Sequence, residues 1–153
     1  MNSSTRNLLL AGAAIAASIG IAIPLLPAGA TTNTTTPLAA QLDGQQEVPP
    51  ADPNGVGDAF VFGTPSDPNA LCYVVIVDRI RPATMAHIHR GVLGANGDIV
   101  VPLRAPTDGD SAGCVQTREG LVARILANPQ NFYVNVHNRP FPGGAVRGQL
   151  AAN

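Results

Sequence analysis

From Leu38 onward the chain is written in short apolar or alternating runs, cut by turn residues at intervals of about ten. Period-two alternation places successive side chains on opposite faces of a strand. The runs predict strands over residues 38–42 (continuing to 48), 57–64, 70–78, 84–90, 98–104, 131–137 and 145–151, with a shorter one at 114–116. Pro49-Pro50, Asp52-Pro53-Asn54-Gly55, Pro65 to Asn69, Gly94 to Asp98 and Pro140 to Gly144 separate them. Asn96-Gly97 reads as a tight turn feeding a strand. One segment has a helical period. Thr117 is placed to cap residues 118–127, Glu119 suits the first turn, Leu121, Val122, Ile125 and Leu126 share a face, and Pro129 stops it. Seven or eight short strands and one short helix predict an all-β fold, an antiparallel two-sheet Greek-key β-sandwich.

The beginning of the chain follows a different pattern. Arg6 precedes an apolar run from Leu8 to Leu26, and Ala28-Gly29-Ala30 follows Pro24 and Pro27. This arrangement predicts a signal peptide over residues 1–30, cleaved near Ala30, with an uncleaved N-terminal anchor as the alternative. Residues 31–37, rich in threonine, predict a disordered linker, which leaves 38–153 as the folded domain. The expected location is secreted, extracellular or periplasmic, with no membrane association after cleavage.

Charge narrows the partners. Beyond Ala30 there are eight arginines, ten acidic residues and no lysine. No basic stripe is present, which argues against nucleic acid. Cys72 and Cys114 are the only cysteines. In an exported chain an isolated pair favours a disulfide. Closing a loop of about forty residues contributes roughly 4 kcal/mol in the chain-entropy model.

All three histidines lie in two predicted strands, in Ala86-His87-Ile88-His89-Arg90-Gly91 and in Tyr133-Val134-Asn135-Val136-His137. His87 and His89 share a face, opposite Ile88. His137 shares a face with Tyr133 and Asn135, opposite Val134 and Val136. If the aliphatic residues face the core, the three imidazoles lie on non-core faces and can converge. Three neutral imidazoles without thiolates suit copper or zinc, not calcium or magnesium. The next strand alternates in the same way, so Asn135, His137, Arg147 and Gln149 are expected as cross-strand neighbours in a hairpin. Glu47 is expected in the same polar patch, as hydrogen-bond partner of a histidine or salt-bridge partner of Arg147. Its structural alternative is to order the Val48-Pro49-Pro50 turn. Tyr133 is expected to fill a groove there.

Leu42-Asp43-Gly44-Gln45-Gln46-Glu47-Val48-Pro49-Pro50 resembles the opening signature of the CHRD domain, named after chordin. The resemblance runs through the two histidine segments and Asn96-Gly97 to Phe141-Pro142-Gly143-Gly144-Ala145-Val146-Arg147-Gly148-Gln149-Leu150. It implies a β-sandwich and an extracellular or periplasmic location, and it assigns no established biochemical role. The His-x-His strand is also similar to that of copper/zinc superoxide dismutases, but this chain lacks their bridging histidine and remaining ligands. No Gly-x-Ser-x-Gly elbow, phosphate loop or His-Glu-x-x-His occurs. The expected function is therefore non-catalytic metal binding. The alternative is a structural or adhesive module with a protein or glycan partner.

Overall fold

The computed structural model describes residues 36–152. The predicted signal peptide, and the linker apart from Thr36 and Pro37, lie outside the described residues. Nine strands are present: β1 (Leu38–Asp43), β2 (Val56–Thr64), β3 (Asp67–Asp78), β4 (Ala83–Arg90), β5 (Ile99–Leu103), β6 (Asp110–Gln116), β7 (Phe132–Asn138), β8 (Val146–Gln149) and β9 (Ala151–Ala152). One helix, α1 (Leu121–Ala127), interrupts them.

The two-sheet sandwich expected from the sequence is not what these strands build. They form a single antiparallel sheet in the order β5-β4-β7-β8-β1-β2-β3-β6, with β9 also on β1. The sheet curls into a nearly closed barrel. Its two edges are joined by side chains just beyond β5. The Arg104 backbone N–H donates to the Tyr73 hydroxyl of β3 at 2.9 Å, Arg104 Nη2 donates to the Ala112 carbonyl at 3.1 Å, and Ser111 Oγ donates to the Arg104 carbonyl at 2.8 Å. Strand alternation leaves this choice open, because a sandwich and a curled sheet bury the same alternate residues.

The core consists of the residues that alternation assigns to it. Ala40, Leu42, Val61, Leu71, Val75, Ile88, Val134, Val136 and Val146 are buried together, and α1 adds Leu121, Val122 and Ile125. The helix begins later than expected. Thr117 does not cap it. Its N–H and hydroxyl both donate to the Asn69 carbonyl, which extends the β3–β6 pairing, and the helix starts after Gly120 in a left-handed conformation (φ 72°). Glu119 therefore precedes the first turn. The first strand stops at Asp43 because the Asp43 carboxylate accepts the Gln46 N–H at 2.9 Å, closing a 3-10 turn over Gly44–Gln46.

Strand β6 is longer than predicted. Residues 110–113 are polar or small and carry little strand signal, yet they pair along the edge of β3. Cys72 and Cys114 are register partners on those strands and form the expected disulfide. No helix among the described residues is long and apolar enough to cross a membrane.

Candidate metal centre

Strands β4, β7 and β8 carry the three ordered rows that define the site. His87 pairs with Asn135, and Asn135 pairs in turn with Arg147. His89 pairs with Tyr133, and Tyr133 with Gln149. Met85 pairs with His137. Ala86, Ile88, Val134 and Val136 project from the opposite face and are fully buried in the core. The hairpin and the Asn135–Arg147 pair are thus as the alternation required, whereas Gln149 lies across from Tyr133. His137 lies across from Met85 rather than from β8.

The second face of these strands is not an open surface. Glu47, Tyr133, Asn135, His137 and Arg147 are all buried, whereas His87 and His89 are half-buried. Loops cover this face. Asn96 ties two of them together, its Nδ2 donating to the Val48 carbonyl at 2.8 Å while its Oδ1 accepts from Arg147 Nη1 at 2.9 Å. Arg147 Nη2 also donates to the Ala95 carbonyl. Asn96-Gly97 is consequently not the tight turn expected. The hydrogen-bonded turn lies three residues earlier, from Val92 to Ala95.

The three imidazoles converge. Each offers one ring nitrogen, and these nitrogens lie within 4.8 Å of one another. His137 Nδ1 is 3.0 Å from the Pro142 carbonyl, and His89 Nδ1 is 2.8 Å from the Gly97 carbonyl. A carbonyl only accepts, so both Nδ1 atoms carry the ring proton and both Nε2 atoms keep a lone pair. His137 Nε2 faces His87 Nδ1 at 3.1 Å. His89 Nε2 is buried and has no hydrogen-bond partner. Such an orphaned acceptor suits a metal ligand. Bonds of ~2.0–2.1 Å to one tetrahedral centre place ligand nitrogens roughly 3.3 Å apart, so His87 Nδ1 and His137 Nε2 are nearly at that spacing already, and His87 needs only to shift its ring proton to Nε2 for Nδ1 to take a metal.

Electrostatics keep the cluster neutral. Burial, and then the neighbouring imidazoles of His137 and His89, push the His87 pKa down to about 4. Burial also lowers His89 and His137, against the hydrogen bonds to Gly97 and Pro142 that raise them. Neutral imidazoles are the form that binds a cation.

Around the histidines, the polar residues order the imidazole rings. Tyr133 stacks on His89 with ring centroids 4.7 Å apart and planes 9° from parallel, and the Arg147 guanidinium carbon lies 3.4 Å from the Tyr133 ring centroid. The Tyr133 hydroxyl accepts the Gly97 N–H at 3.2 Å, so one residue positions both the His89 ring and the loop that orients it. Gln149 Nε2 donates to the Gly91, Gln130 and Phe132 carbonyls.

Glu47 lies in the expected patch but with a different partner. Its Oε1 accepts from Asn135 Nδ2 at 2.5 Å, not from a histidine, and it forms no ion pair with Arg147. Arg147 is occupied by loop acceptors. Burial raises the Glu47 pKa to about 7, opposed by the Arg147 charge and the Asn135 hydrogen bond. A Cβ on Gly144 (φ +142°) would collide with Glu47 Oε1 and Asn135 Nδ2, so the Pro/Gly loop closes only with glycine there.

The carbonyls of Gly97 and Pro142, which set the two tautomers, were not identifiable as functional groups from the sequence. A backbone carbonyl has no side-chain signature, and both lie in segments whose composition signals only a turn.

No curated protein and no solved structure matches the chain. The family model of the CHRD domain matches residues 38–150, which includes every strand from β1 to β8 and all the residues described above. The chain therefore belongs to the CHRD-domain family.

Proposed function

We propose that this is an exported, non-catalytic metal-binding protein whose CHRD domain holds one copper or zinc ion on His87, His89 and His137. The observation that carries this reading is the convergence of three imidazole nitrogens within 4.8 Å, with the His89 and His137 rings oriented by backbone carbonyls and the His89 Nε2 buried without a partner. Three neutral nitrogen donors and no thiolate suit either metal. His87 and His89 are only half-buried, which leaves a path for the ion to enter. Export is supported by the Arg6-led apolar run with its small-residue motif and by the Cys72–Cys114 disulfide. X-ray absorption of the copper- or zinc-loaded chain tests the site: three imidazoles in the first coordination sphere support it, and fewer than two refute it.

A second reading, a structural or adhesive module, also has support. His87 Nδ1 and His137 Nε2 are close enough to hydrogen-bond to each other without an ion. Val92 and Leu93, 53% and 71% exposed on the covering loop, offer an apolar contact for a protein or glycan partner.

A further inference from the structure

A second polar site lies on the other face of β4 from the histidines. Arg90 ends that strand and shares the face of Ile88, not that of His89. Together with Arg118, which precedes α1, and Arg124, in its last turn, it lines a cavity of about 240 Å³. Asn128 adds an amide, while the buried residues Leu121 and Phe132 supply apolar wall. No aspartate or glutamate lines this cavity. Among the described residues the single ion pair is Arg79–Asp78, so none of the three guanidinium groups is neutralised by a carboxylate.

Concentrating three of nine arginines around one cavity, in a chain of net charge −1, costs mutual repulsion unless an anion offsets it. Guanidinium groups match the paired oxygens of an oxyanion, and apolar wall nearby strengthens such contacts by excluding water. The volume falls below the roughly 300–1,000 Å³ of pockets that enclose a whole drug-sized ligand. It accepts one charged substituent. We propose that Arg90, Arg118 and Arg124 form a binding site for a tetrahedral oxyanion, sulfate or phosphate, either free or as an ester on a saccharide. The site is independent of the histidines and of the metal.

The test uses the full chain at low ionic strength, titrated by calorimetry with inorganic sulfate, inorganic phosphate and a sulfated disaccharide. Saturable binding at one site is expected, weakening as salt rises. Arg118→Gln and Arg124→Gln, both exposed and outside the core, should each weaken it by roughly tenfold, as loss of a charge-assisted hydrogen bond does. Arg139→Gln, exposed and outside the cavity, should leave it unchanged. A disaccharide that binds more tightly than the ions identifies an ester as the ligand, and equal binding identifies the free ion. Absence of saturation with every probe at millimolar concentration would overturn the proposal. So would equal weakening by Arg139→Gln, since that would mean a diffuse charge effect.

Discussion

His137 holds its Nδ1 3.0 Å from the carbonyl oxygen of Pro142, and this contact sets where the protons of His137 and His87 sit. The proton must sit on Nδ1, which leaves Nε2 as an acceptor aimed at His87 Nδ1. His87 Nδ1 is then the donor, and the Gly97 carbonyl fixes His89 in the same Nδ1–H form. All three histidines of the metal-free protein should therefore be neutral Nδ1–H tautomers at pH 7. Nitrogen-15 NMR of histidine-labelled protein reads this directly. An Nε2–H resonance assigned to His137 would contradict it.

The two faces of β4 should respond oppositely to truncation. Ile88 is fully buried, so Ile88→Ala should cost about 2–5 kcal/mol of stability. His87→Ala removes a half-buried side chain from the outer face and should change stability far less. Metal affinity should show the reverse order, falling by more than roughly 100-fold in His87→Ala, beyond the usual effect of losing only a ligand's supporting contact. Denaturant melts alongside metal titrations separate the two effects.

Much of this was legible in the sequence because alternation is a local property. The placement of Ile88, Val134 and Val136 inward and of the three histidines outward follows from a period of two. So does the Asn135–Arg147 pair, once Pro140–Gly144 is recognised as a hairpin connection. What could not be read depends on long-range closure. Alternation does not say whether strands form two layers or one curled sheet, nor that loops bury the outer face. That burial gives Glu47 its raised pKa, and its partner is 88 residues away. The start of α1 was misplaced because the Thr117 hydroxyl, a good local cap, is held by Asn69 on another strand.

Gly144 should be intolerant of side chains. Its φ of +142° and the atoms of Glu47 and Asn135 leave no room for a Cβ. Gly144→Ala should destabilise the fold by about 1–3 kcal/mol. It should also weaken metal binding by about tenfold, because the displaced loop carries the Pro142 carbonyl that orients His137. Thermal melts and metal titration of this variant test both effects.

Stability of the metal-free protein should depend on pH through two opposing effects. His87, lowered to about 4 from an unfolded value near 6.5, binds fewer protons when folded, so its contribution is present above pH 6.5 and is lost as pH falls towards 4. His89 and His137 act in the same direction. Glu47, raised to about 7, binds more protons when folded, so its contribution is present below pH 4.5 and is lost as pH rises through 7. Three histidines against one carboxyl should make the melting temperature rise from pH 4.5 to 6.5. In Glu47→Gln that rise should steepen. A flatter profile in the variant would show that Glu47 does not titrate as its burial requires.

The most direct measurement is a calorimetric titration of chelator-stripped protein with Cu(II) and Zn(II) at pH 7, alongside His137→Ala. One ion per chain should bind, with affinity largely lost in the variant. Because burial lowers all three imidazole pKa values, uptake should persist below pH 6.5, where free histidine is largely protonated. No uptake at micromolar concentrations, or equal uptake by His137→Ala, would contradict a metal centre on His87, His89 and His137.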